Sequence, residues 1–86
     1  MAINDNNYNS ARATLVSAGS GKARAAHEAH TQGAGSPLHY GQALLKEARD
    51  EFRNLDIGKS PLTSGMTSAH HTAIMTAANK MGIDNW

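Results

Sequence analysis

The sequence predicts an all-α fold: a helical hairpin, about residues 36–56 and 66–82, preceded by one or two short alanine-rich helices and an extended N-terminal arm. Three observations predict it. Leu38, Leu45, Ala48, Phe52 and Leu55 recur at steps that align side chains on one helical face. A second stripe, Met66, His70, Ala73, Ile74, Ala77, Ala78 and Met81, follows the same period. No run of alternating Val, Ile and Thr marks a strand.

With 86 residues there is room for one small helical domain, 1–86. The hydrophobic fraction is 40%, but much of it is alanine, and the aromatic side chains are Tyr8, Tyr40, Phe52 and Trp86. A buried methylene is worth about 0.8 kcal/mol, and alanine has few carbons to contribute. Cysteine is absent, so neither disulfides nor thiolate-bound metal can make up the difference. The expectation is a core too thin by itself, completed by a protein partner or a second copy. A net charge of +1, with both signs interspersed, argues against nonspecific nucleic-acid binding, which needs clustered Lys and Arg. No apolar run approaches the ~20 residues that span a bilayer. Ile3-Asn4-Asp5-Asn6-Asn7 is too polar for the core of a secretory signal, so the expected location is the cytoplasm or a virion.

Residues 1–9 form the polar arm, because Asn and Asp compete with helix by bonding nearby backbone. Ile3 and Tyr8 are its possible anchors on a neighbouring subunit. The alanine-rich segment, 10–32, starts with a short helix from Ser10 to Ala18. Gly19-Ser20-Gly21 interrupts it as a flexible hinge, and Lys22 to Gln32 resumes helix-forming sequence. Gly33-Ala34-Gly35 is a linker. The hairpin segment, 36–83, opens with Ser36 as N-cap and Pro37 at the first helical position, where a missing N–H costs nothing. Lys46 with Asp50, and Asp50 with Arg53, have the spacing of ion pairs on a solvated face. Gly58 suits a left-handed cap, and Pro61 with Gly65 excludes a continuous helix across the next turn. The last helix runs from Thr67 or Ser68 to Met81, with Gly82 just past its end and Ile83 folding back on it.

Candidate chemistry is sparse. Ala18-Gly19-Ser20-Gly21-Lys22-Ala23 lacks the earlier glycine, the preceding strand and the Ser or Thr after lysine that a phosphate loop requires. His27-Glu28-Ala29-His30 is one residue short of the zinc-protease spacing, and two imidazoles do not complete a tetrahedral site. No Ser, Thr or Lys has a visible activating partner. Ala69-His70-His71, followed by Ala73, Ala77, Ala78 and Gly82-Ile83-Asp84-Asn85, resembles the opening of the AHH-type HNH nuclease toxins. That resemblance implies one histidine of the pair as general base and the other as a metal ligand. Only His70 and His71 match, and the later Asn and His positions of that pattern have no counterpart before Trp86.

The residues therefore predict a non-enzymatic helical interaction module without cofactor or bound metal, most simply a small subunit or accessory of a larger assembly such as a virion or phage component. The expected anchors are Tyr8, Leu38, Tyr40, Leu45, Phe52, Leu55, Met66, His70, Ile74, Met81 and Trp86, since aromatic and Met side chains concentrate interface energy. Two alternatives are a helical inhibitor seated on a larger host enzyme and a fragment of an AHH-type nuclease.

Overall fold

The computed structural model describes residues 5–26, 37–59, 65–84 and 86, with the side chains of 37 and 38 set aside. It is all helical. In chain order the elements are α1 (Asp5–Ser17), α2 (Gly21–Ala25), α3 (Pro37–Leu55) and α4 (Ser68–Met81). His27, His30, the Gly33–Gly35 linker, Ser36, Pro61 and Ile3 lie outside the described residues.

The N-terminal segment is helix where an extended arm was expected. α1 begins at Asp5, an acid in the first turn, where the helix dipole favours negative charge. Tyr8, Ala11 and Leu15 stand at i, i+3 and i+7 and are buried. Tyr8 packs edge-on against Tyr40, with ring centroids 4.9 Å apart and planes at 87°. The Tyr40 hydroxyl donates to Asp5 Oδ1 at 3.0 Å. Tertiary burial of Tyr8 thus outweighs the weak helix propensity of the asparagines around it.

α1 also changes the expected partnership. α4 packs on α1 more extensively than on α3, so the core is a three-helix arrangement rather than a hairpin with thin helices beside it. Lys80 Nζ, donating to Thr14 Oγ1 at 2.8 Å, ties α4 to α1. The apolar stripe of α3 is thereby covered from within the chain. Leu44, Leu45, Ala48 and Phe52 of α3 join Tyr8, Ala11 and Leu15 of α1, Ala73, Ile74, Ala77, Ala78 and Met81 of α4, and Met66 and Ile83 in one buried cluster. A radius of gyration of 12.3 Å is what a folded chain of this length should have, roughly 12 Å.

The short α2 replaces the expected hinge. Ser20, not a flexible spacer, caps it: its Oγ accepts from Ala23 N–H at 3.0 Å. Arg12 of α1 reaches across to the other end of α2, donating from Nε to the Ala26 carbonyl at 2.8 Å and from Nη2 to the Arg24 carbonyl at 3.0 Å. Those are carbonyls that a helix end leaves without an intrahelical partner.

α4 begins and ends as its residues predict. Thr67 is the N-cap, and Gly82 follows Met81 with φ 67°, in the left-handed region. Ile83 N–H donates to the Ala78 carbonyl at 2.9 Å and Gly82 N–H to the Asn79 carbonyl at 3.2 Å, the paired bonds of a Schellman ending. The buried Ile83 side chain completes the motif. Gly82→Ala places a Cβ in that conformation at a cost of about 1 kcal/mol. Thermal unfolding followed by circular dichroism should show Tm lower by ~5 °C.

Candidate functional site

Two carboxylates, Glu51 on α3 and Asp56 just past its end, organise the polar chemistry. Glu51 sits over the start of α2: its Oε1 accepts from the Ser20 hydroxyl at 2.7 Å and from Lys22 N–H at 3.2 Å, while Oε2 accepts from Gly21 N–H at 3.0 Å. Glycine at 21 permits this approach, since a Cβ there would lie 3.2 Å from Glu51 Oε2. Burial pushes the Glu51 carboxyl up, but the Ser20, Lys22 and Gly21 hydrogen bonds and the Lys22 charge bring it net below its usual range.

Asp56, one residue past α3, does the same for α4. It is almost fully buried, and its Oδ2 accepts from Thr67 N–H at 2.8 Å. His70 Nδ1 lies 2.8 Å from Oδ2 and 3.0 Å from Oδ1. Burial pushes Asp56 up, and the Thr67 and His70 hydrogen bonds, with the His70 charge, outweigh it and hold the carboxyl low. The His70 ring stacks face to face on Phe52, centroids 4.0 Å apart and planes within 3°. Its nitrogen and its ring face therefore serve the α3–α4 junction.

Seen as chemistry, both clusters contain the parts of a dyad, Ser with Glu and His with Asp. Each is engaged by structural partners. The Ser20 hydroxyl is buried and both donates and accepts. Asp56 is engaged by a backbone N–H and an imidazole. His71 faces elsewhere, its ring 5.3 Å from the Trp86 indole at 56°. The two histidines thus diverge, as adjacent helical residues do. Among the described residues no three His, Cys, Asp or Glu side chains gather where they could share a metal ion.

The expected anchors differ in burial. Tyr8, Leu45, Phe52, Met66, Ile74 and Met81 are buried in the intramolecular core. The correction has one cause: α1 is a full helix and supplies the cover assigned to another molecule. His70 is spent on Asp56 and Phe52. Tyr40 and Trp86 are half-buried against the core, and Leu38 falls at a position of α3 whose side chain is not described. Leu55 alone of the set is well exposed, at 53%. It leaves the stripe because Asp56, the next residue, is the one turned inward toward α4.

Beside Leu55 the structure shows what periodicity missed. Ile57 is 74% exposed in the turn after α3, where Lys59 N–H donates to the Asp56 carbonyl at 2.9 Å. A helical-face argument has no term for an isoleucine in a turn. Leu55 also borders a groove of about 350 Å3 lined by Lys22, Glu47, Asp50, Glu51 and Asn54. Asp50 stands 3.7 Å from Arg49 Nε, its neighbour in sequence. The end of α3 thus combines two exposed aliphatic side chains with charges of both signs, on a backbone fixed by Asp56. No helix among the described residues is long and apolar enough to cross a membrane.

No protein-family model matches the chain, and no curated protein matches it significantly. A solved structure, that of the bacterial toxin phenomycin, does: it is 43% identical in sequence and superposes with a TM-score of 0.82. The match covers 98% of this chain and 91% of that one. Identity at that level across nearly the whole of both chains shows common descent, and the protein belongs to the phenomycin family.

Proposed function

We propose that this protein is a small helical toxin that acts by binding a macromolecular target rather than by chemistry of its own. The carrying observation is the 43% identity to a bacterial toxin over 98% of the chain. A binding mode is supported by the fate of the polar groups. The carboxylates and the histidine that could form catalytic pairs are consumed in holding α2 and α4 to α3. The target-binding surface in this reading is the end of α3, where Leu55 and Ile57 project from an anchored turn. Exposed aliphatic side chains on a rigid support lose little freedom on binding. The reading keeps the expected interaction module and its inhibitor-like alternative. The assembly subunit draws no support from that identity.

Inducible expression inside bacterial and yeast cells tests it without requiring entry from outside. The expected result is growth arrest in at least one host. A Leu55→Asp, Ile57→Asp double variant of unchanged Tm should grow normally in that host. Normal growth of both hosts while folded protein accumulates overturns the toxin reading. Equal toxicity of the double variant overturns the placement of the surface.

A further inference from the structure

Alongside the middle of α3 the fold leaves a cavity of about 190 Å3, lined by Gln42, Leu45, Lys46, Arg49, Ile83 and Trp86. Its floor is apolar, from Leu45 and Ile83, which the core otherwise buries. The Trp86 indole forms one wall, and Lys46 and Arg49 supply cations. Arg49 Nη1 donates to a main-chain oxygen of Trp86, which lies against α3.

The other edge of the same guanidinium is unfinished. Arg49 Nε is buried and makes no hydrogen bond. Asp50 Oδ1, at 3.7 Å, is beyond hydrogen-bonding distance of it. Buried donors in folded proteins nearly always have an acceptor, and one without calls for an explanation. With Nη1 anchored, the Nε of the fork that matches a carboxylate is buried near Asp50 and meets a ligand only when the guanidinium turns.

We propose that this cavity binds a small amphiphilic monoanion, a carboxylate carried on an apolar body. Its oxygens meet Arg49 and the Lys46 ammonium, and Nε gains its acceptor as the guanidinium turns about the Nη1 anchor. The apolar body lies on Leu45 and Ile83 against the Trp86 indole. The volume corresponds to about six water molecules, which suits a ligand the size of hexanoate or phenylacetate. The Asp50 carboxylate beside Arg49 disfavours a dianion such as phosphate. This site is independent of the toxin reading and of the Leu55–Ile57 turn.

Trp86 is the one tryptophan of the chain, so its emission reports on the cavity without interference. Hexanoate titrated into the full-length protein should change that emission saturably in the millimolar range. In parallel, the Arg49 Nε–H proton resonance should shift downfield. Arg49→Gln and Lys46→Gln should each weaken binding about tenfold, and Asp50→Asn should tighten it. Lys46→Gln leaves the Trp86 anchor intact, so it remains decisive if Arg49→Gln loosens the C-terminal segment. The absence of saturation with hexanoate overturns the proposal. So does an equal response to hexanol, or unchanged affinity in both variants. A response to inorganic phosphate as strong as that to hexanoate overturns the amphiphile assignment.

Discussion

Phe52→Ala should remove a large part of this protein's stability. The Phe52 side chain is fully buried, stacked on the His70 ring and set in the cluster shared by α1, α3 and α4. Truncating a buried phenylalanine removes its transfer free energy and leaves a cavity, at about 3–5 kcal/mol. A domain of this size has on the order of 4–13 kcal/mol in total. The expected fall in Tm is on the order of 20 °C, read by circular dichroism at 222 nm. Phe52→Leu keeps most of the volume and should cost about 1–2 kcal/mol, part of it the lost ring stacking. A Tm for Phe52→Ala within ~5 °C of the parent would mean that the α3 stripe is not the centre of the core.

The stripes of α3 and α4 were legible because amphipathic helices announce themselves by period alone. Leu45, Ala48 and Phe52 on one, and Ala73, Ile74, Ala77, Ala78 and Met81 on the other, are buried as their spacing requires. The ends of α4 were legible for a different reason. Gly82 and Ile83 have local roles that need no knowledge of the rest of the fold. The later part of α1 was expected as a helix from Ser10, but its start was not legible, because the asparagines read as arm and only the distant Tyr40 gives Tyr8 a reason to be inside. Without Tyr8 in the core, α3 was expected to need another molecule to cover it.

The functional surface was less legible still. Sequence reasoning ranks large apolar residues as candidate anchors but cannot divide them between core and surface until the helices have partners. Leu55 reached the candidate set through its place in the stripe, yet it is exposed because Asp56 turns inward beside it. Ile57 carries no periodic signal. The starts of α2 and α4 share this limit, since each is also held by a carboxylate distant in sequence. Glu51 lies thirty residues from Gly21, and Asp56 eleven from Thr67.

Those two carboxylates set the second large expectation, a steep loss of stability in acid. Burial raises each carboxyl, but hydrogen bonds and neighbouring positive charge bring both net below their ordinary range in the folded state. A carboxyl with a lower folded than unfolded pKa contributes stability above the unfolded value, near 4, and loses it as pH falls through the folded value. Tm should therefore hold level from pH 7 to about 5 and then drop steeply toward pH 3. Asp56→Asn keeps an oxygen for Thr67 N–H and removes only the charge. At pH 7 it should lower Tm on the order of 10 °C, because a cap loses strength and His70 loses its anionic partner. Glu51→Gln should lower it by less, since Glu51 is more exposed and solvent screens its interactions. Both variants should show a shallower acid limb and converge with the parent once pH lies below the folded values of both carboxyls. An Asp56→Asn curve that runs parallel to the parent down to pH 3 would show that the ionised carboxylate is not what joins α4 to α3.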